Sequence, residues 1–160
     1  TIRNQTEVLL RHIDEYQYDL VIGSSMGGLA AANASSLREK SDFKLLLIAP
    51  AFGLSDSWEN LTDEELDSWE RMGVRRYRGF DLEIDLGWDF MEDAREMSWP
   101  TIRHQTTIIH GSKDDIVPLE VSQTVSEDSE LVDLIVIDDG HRMKRSLSYL
   151  SDVASSLVSS

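Results

Sequence analysis

Ser25 stands in the run Gly23-Ser24-Ser25-Met26-Gly27-Gly28, directly behind the apolar residues Leu20-Val21-Ile22. The Gly-x-Ser-x-Gly spacing is that of a serine carried on a sharp turn between a strand and a helix, with its hydroxyl held clear of the backbone. Such a turn leaves little room two residues either side of the serine, so glycine is expected to be required at 23 and 27. The helix behind the turn points its first N–H groups at the place where negative charge would develop. A serine hydroxyl becomes a nucleophile only when a base takes its proton, and a histidine base needs an acid to fix its tautomer. Two later loops offer both. One reads His110-Gly111-Ser112-Lys113-Asp114-Asp115-Ile116-Val117-Pro118, the other Asp138-Asp139-Gly140-His141.

Other uses of these residues are less well supported. Asp115 is one residue out of register with Val117-Pro118, and Asp138 and Asp139 precede His141 too closely to orient its ring, so they read as turn formers. Asp56 is a substitute acid from a neighbouring loop. His110, at a strand end, reads as a packed or loop-fixing histidine, and His12 and His104 as solvated or linker positions. Asp114, Asp115, Asp138, Asp139 and His141 as a hard-metal site is a minor alternative, because no histidine pair and no i, i+4 ligand spacing supports it. A phosphate cradle would want the lysine of a P-loop, which is missing.

These side chains need a scaffold, and the hydrophobic pattern supplies one. Val8, Leu9, Ile13 and Tyr16 recur at helical spacing over residues 3–16. Tyr18–Ile22 reads as a short strand buried on both faces, followed by a small-residue helix from Met26 to about Arg38 and a second buried strand over Phe43–Ala49. Residues 54–100 break this rhythm. Thr62 to Glu65 is a capping box, Gly73 suits the end of the same helix, and Leu82, Ile84 and Leu86 alternate as a strand. A helix over Gly87–Met97 follows, and all four tryptophans (Trp58, Trp69, Trp88, Trp99) fall in this segment, which reads as an inserted lid. Alternation then resumes with a strand at Thr106–Ile109, a helix at Pro118–Ser126, a strand at Leu131–Ile137 and a closing helix marked by Leu147, Leu150, Val153 and Leu157. Helices alternating with unalternating apolar strands imply a parallel sheet with right-handed crossovers.

Composition excludes several classes. The 160 residues suit one domain, and 41% hydrophobic content without a span-length apolar run describes a globular chain. A net charge of −15 argues against nucleic acid or an anionic membrane surface as partner. With no cysteine, disulfides, thiolate catalysis and cysteine-bound zinc are excluded. We expect no cofactor, no metal and a cytoplasmic location.

The elbow, the H-G-x-x-D-x-x-V-P segment and the D-x-x-H loop resemble the α/β-hydrolase superfamily. With Ala49-Pro50-Ala51-Phe52 and the tryptophan-rich lid, the chain is similar to the small bacterial esterases of the YqiA type. The resemblance implies a three-layer fold with a mostly parallel sheet and a short helical lid. It assigns Ser25 as nucleophile, Asp114 as acid, His141 as base and the Met26 N–H as an oxyanion donor. Independently of it, Phe52 and Leu54, with some of the tryptophans, are candidates to line an acyl pocket. Substrates would be small-molecule esters or thioesters. A non-catalytic ligand-binding or regulatory relative is the alternative. Proteins of this kind begin with a strand ending in His-Gly, whose loop gives the second oxyanion donor. That strand is missing before Thr1, so an N-terminal segment or a partner chain is expected to pair beside Tyr18–Ile22.

Overall fold

The structure is a computed structural model describing residues 1–58, 61–79 and 82–159. Four parallel strands, β1 (Leu20–Ser24), β2 (Lys44–Ile48), β5 (Thr106–Gly111) and β6 (Val132–Ile137), form a sheet in the order β1-β2-β5-β6. Helices α1 (Ile2–Glu15), α2 (Met26–Leu37) and α5 (Leu119–Glu127) supply one side, and α6 (Leu147–Ser159) lies against the other face of β1. The expected α/β fold with a parallel sheet is therefore present. Among the described residues no helix is long and apolar enough to cross a membrane.

The main core lies on the face carrying Val21, Leu45, Leu47, Ile108 and Val132, against Leu29, Ala31, Ala32 and Ala34 of α2. Helix α1 adds Ile2 and Ile13, with Leu9 and Leu10 partly buried. Its buried stripe is thus turned from the expected one, and Val8 and Tyr16 are exposed. Strand β1 also departs from expectation. It is not buried on both faces but alternates, and Ile22 is 53% exposed, because β1 is the edge of the sheet and its outer face is incompletely covered by α6.

The segment between β2 and β5 holds a turn of 3-10 helix (Asp56–Trp58), α3 (Asp63–Met72), an antiparallel pair β3 (Val74–Gly79) and β4 (Leu82–Gly87), and α4 (Trp88–Met97). The expected lid spans residues 59, 60, 80 and 81, which lie outside the described residues, as does the side chain of Leu82. Helix α3 begins at the capping box, with the Thr62 N–H donating to Glu65 Oε2 at 2.9 Å, and ends on Gly73 at φ 71°. Strand β3 was not expected, so the insert is a helix pair around a hairpin and not helical alone. Trp58, Trp69, Trp88, Phe90 and Met91 make a second hydrophobic cluster, and Trp69 Nε1–H donates to the Leu86 carbonyl at 3.1 Å. Trp99 stands apart from it at 47% exposure, its Nε1–H on Asp56 Oδ2 at 3.2 Å.

Helix α2 lies close on the sheet through small residues, and the close approach falls at one of the two glycines that the motif suggested, Gly23, and not at the other, Gly27. A methyl group at Gly23 would come within 2.7 Å of the Gly27 carbonyl carbon and 2.8 Å of Gly28 Cα. One at Gly28 would meet Pro50 Cβ at 3.0 Å, whereas one at Gly27 meets nothing within 4 Å. Gly27 is exposed on the first turn, and the tight pair is Gly23 and Gly28. Gly23→Ala should therefore cost about 3 kcal/mol or more, since backbone cannot yield as a side chain can. Gly27→Ala should stabilise by about 0.5–1 kcal/mol through its helix propensity. Urea unfolding of both variants decides this, and equal losses would contradict the packing described.

Candidate active site

The site forms at the carboxyl ends of the parallel strands. Ser25, between β1 and α2, has φ 52° and ψ −120°, a conformation unusual for a residue with a side chain. It is pinned from both sides. Its N–H donates to the Ile48 carbonyl at 2.9 Å, and its carbonyl accepts from Leu29 at 3.1 Å and Ala51 at 3.0 Å.

His141, on the loop after β6, places Nε2 3.2 Å from Ser25 Oγ and Nδ1 2.8 Å from Asp114 Oδ2. A carboxylate facing Nδ1 puts the ring proton there, which leaves a lone pair on Nε2 toward the hydroxyl. Asp114, on the loop after β5, has a fully buried side chain. Its Oδ1 accepts from the Ile116 and Val117 N–H groups, each at 2.9 Å. The carboxylate is thus bonded without a cation, which lets it be buried. Ser25, Asp114 and His141, 27 and 116 residues apart in the two pairings, form one hydrogen-bonded chain.

The remaining candidates go elsewhere. Asp56 is occupied with Trp99 and with the Ser55 hydroxyl at 2.9 Å. Asp138 pairs with Lys113 at 2.5 Å, and Asp115 is exposed. Among the described residues no three His, Asp or Glu side chains converge as metal ligands. Phe52 is packed in the main core at 2% exposure, while the partly buried Leu54 touches both hydrophobic clusters. The Met26 N–H, first in α2, meets no backbone acceptor among the described residues. A cavity of about 350 Å³ opens beside His141, lined among others by Asp115, Ile116, Gly140, Arg142 and Lys144.

Two supports were not evident from spacing. Asp139 holds the loop that carries His141. Its Oδ1 accepts from Gly140 N–H at 2.9 Å, and its Oδ2 accepts from Arg145 N–H at 2.8 Å and the Ser146 hydroxyl at 2.9 Å. His104 is not solvated but buried. Its ring stacks on Phe43 at 4.0 Å, and its nitrogens meet Ser35 Oγ at 2.7 Å and the Ser41 carbonyl at 2.8 Å.

A scan against protein-family models matches residues 1–157 to UPF0227, an uncharacterised protein family. The chain belongs to that family. Among curated proteins none matches its sequence. The mouse alpha/beta hydrolase domain-containing protein 10 superposes with TM-score 0.81 at 23% identity, over 99% of this chain and 70% of that one. A hydrolase structure from Agrobacterium vitis gives 0.82 at 20% identity, over 99% and 69%. A monoacylglycerol lipase from Paleococcus ferrophilus gives 0.65 at 17% identity, over 99% and 76%. The fold of this UPF0227 chain is that of the α/β hydrolases.

The Asp139 clasp has a pH signature. Burial opposes ionisation of this carboxyl, but the Gly140 N–H, the Ser146 hydroxyl and the Arg145 N–H outweigh it and hold it below the usual carboxylate range. Its stabilisation is complete above the unfolded-state pKa of about 3.9 and disappears as pH falls through the lower folded-state value. Asp139→Asn should therefore unfold at a lower temperature than the parent at pH 7, with the gap closing below about pH 4. A gap that stays constant to pH 3 would separate the clasp from ionisation.

Proposed function

We propose that this chain is a serine hydrolase that cleaves carboxylic esters or thioesters through an acyl-enzyme on Ser25. The observation that supports it most is the hydrogen-bonded chain from Ser25 Oγ through both His141 nitrogens to Asp114, begun at a serine with positive φ. His141 Nε2 takes the hydroxyl proton as Oγ bonds the acyl carbon, and the carbonyl oxygen becomes an oxyanion against the Met26 N–H at the start of α2. The His141 imidazolium, steadied by Asp114, returns the proton to the leaving alcohol or thiol as the C–O or C–S bond breaks. Water then repeats the attack and releases the acid. No cofactor enters these steps.

In this reading residues 1–160 are one α/β-hydrolase domain, and the insert at about 54–100 is its lid, with Leu54 at the acyl side and Phe52 backing it. The fold is shared with a monoacylglycerol lipase and with an esterase from Exiguobacterium antarcticum, which agrees with ester chemistry. The second reading is a binding protein of low turnover that keeps the same pocket. A fluorophosphonate probe separates the two. Stoichiometric labelling at Ser25, abolished in Ser25→Ala, is expected, together with loss of p-nitrophenyl ester hydrolysis. Asp114→Asn should lower the acylation rate by about 10⁴-fold, and Asp115→Asn should be mild. An inert Ser25 supports the binder, and the reverse order of the two Asn variants overturns the assignment of the acid.

We also propose that the outer edge of β1 takes a further strand, from upstream residues or a partner chain. Supporting this are the unpaired edge among the described residues, the exposed Ile22, and an apolar groove of about 530 Å³ between Leu20, Ile22 and α6. The 160-residue chain should self-associate on size exclusion, or hydrolyse esters more slowly than a version extended upstream. A monomer as active as the extended version would refute it.

A further inference from the structure

Behind the Asp114 carboxylate lies a second, wholly buried histidine that the proposed chemistry leaves unused. His110, on β5, and Ser122, on α5, are both 0% exposed. His110 Nε2 lies 3.0 Å from the Val117 carbonyl and 3.3 Å from Asp114 Oδ2. Both facing atoms are acceptors, so Nε2 carries the proton, which it donates to the Val117 carbonyl while Asp114 Oδ2 lies close beside it. His110 Nδ1 lies 2.7 Å from Ser122 Oγ, and with the ring proton on Nε2 it accepts the Ser122 hydroxyl proton. The order is therefore Ser122 Oγ–H to His110 Nδ1, then His110 Nε2–H to the Val117 carbonyl, with Asp114 Oδ2 3.3 Å from the same nitrogen.

We propose that His110, fixed in tautomer by Ser122, is a positioning residue that locks the Asp114 carboxylate toward His141. The two oxygens of Asp114 are secured differently. Oδ1 has two backbone N–H donors from its own loop, which fix one oxygen but leave the carboxylate plane free to swing about it. Oδ2 accepts from His141 Nδ1–H, on a part-buried ring, and lies 3.3 Å from the protonated Nε2 of His110, on a wholly buried one. By bonding the Val117 carbonyl, that N–H closes the acid's loop on itself, since Val117 N–H donates to Oδ1. Without His110, a buried carbonyl loses its donor and the loop that holds Oδ1 loses its anchor.

The kinetic arm of the test rests on the serine-hydrolase reading, and the spectroscopic arm does not. His110→Leu removes the donor and keeps an apolar fill. His110→Gln places an amide N–H near the position of Nε2, and Ser122→Ala removes only the tautomer lock. We expect the far-downfield proton resonance of His141 Nδ1–H to be sharp in the parent, lost to exchange in His110→Leu, and restored in His110→Gln. In ester hydrolysis, kcat should fall about 10- to 100-fold in His110→Leu with KM within twofold, recover to within about fivefold of the parent in His110→Gln, and fall less, in the same direction, in Ser122→Ala. If His110→Leu does not fold, Ser122→Ala carries both readouts. An unchanged His141 resonance, or Leu and Gln variants equally impaired, overturns the proposal by reducing His110 to packing. A parent that shows the resonance yet resists the fluorophosphonate refutes the hydrolase reading instead, and leaves the resonance comparison to decide the role of His110.

Discussion

A serine at positive φ persists only where the surrounding structure over-determines it, at a cost of about 1–3 kcal/mol. Here Ser25 is held by three backbone hydrogen bonds to three separate pieces of chain: the end of β2, the segment after Pro50, and the first turn of α2. Helix α2 also lies close on the sheet behind this turn, which Gly23, Gly28 and the alanines permit. The strain is not confined to Ser25. The other non-glycine residues with positive φ among the described residues are Ala49, just past β2, and Met143, just past His141. All three occupy loops at the carboxyl ends of strands, so strain gathers at one rim of the sheet while the sheet itself is regular.

Asp114 shows how a strongly acidic chain places a charge inside itself. Its net charge of −15 leaves few cations to spare, and the nearest basic residue in sequence, Lys113, is paired outside with Asp138. Backbone N–H groups serve instead. They are fixed by the loop, cost no side-chain entropy and bring no competing charge, so the carboxylate keeps its pull on His141 undivided by an ion pair. Asp139 uses the same device one loop away.

How much of this was legible in the sequence follows from what each residue depends on. The elbow, both partner loops, the capping box and all six helices answer to local pattern, and each stands within a residue or two of where that pattern put it. What escaped depends on distant chain. Strand β3, Val-Arg-Arg-Tyr-Arg-Gly, has no apolar alternation, since Arg76 and Arg78 face outward and pair with Glu83 and Asp85 across the hairpin. His104 has no apolar period around it, and its burial is made by Phe43 and Ser35, more than sixty residues earlier. The apolar run of β1 read as doubly buried because composition cannot say which strand will lie at an edge. Gly27 fitted the motif, but the steric demand fell on its neighbour Gly28, where α2 crosses Pro50.

Met26 joins the two halves of the molecule. Its side chain packs both on the main core and on the tryptophan cluster of the insert, and Leu54 does the same from the other side. Its N–H, first in the helix, meets no backbone acceptor among the described residues. In the proposed chemistry, the residue that holds the oxyanion is thus also one that packs against the insert. Leu54 and Met26 both bridge the two clusters, so the insert is tied to the core at the rim where Ser25 lies, while the turn that carries Ser25 is held separately by its bonds to Ile48, Ala51 and Leu29.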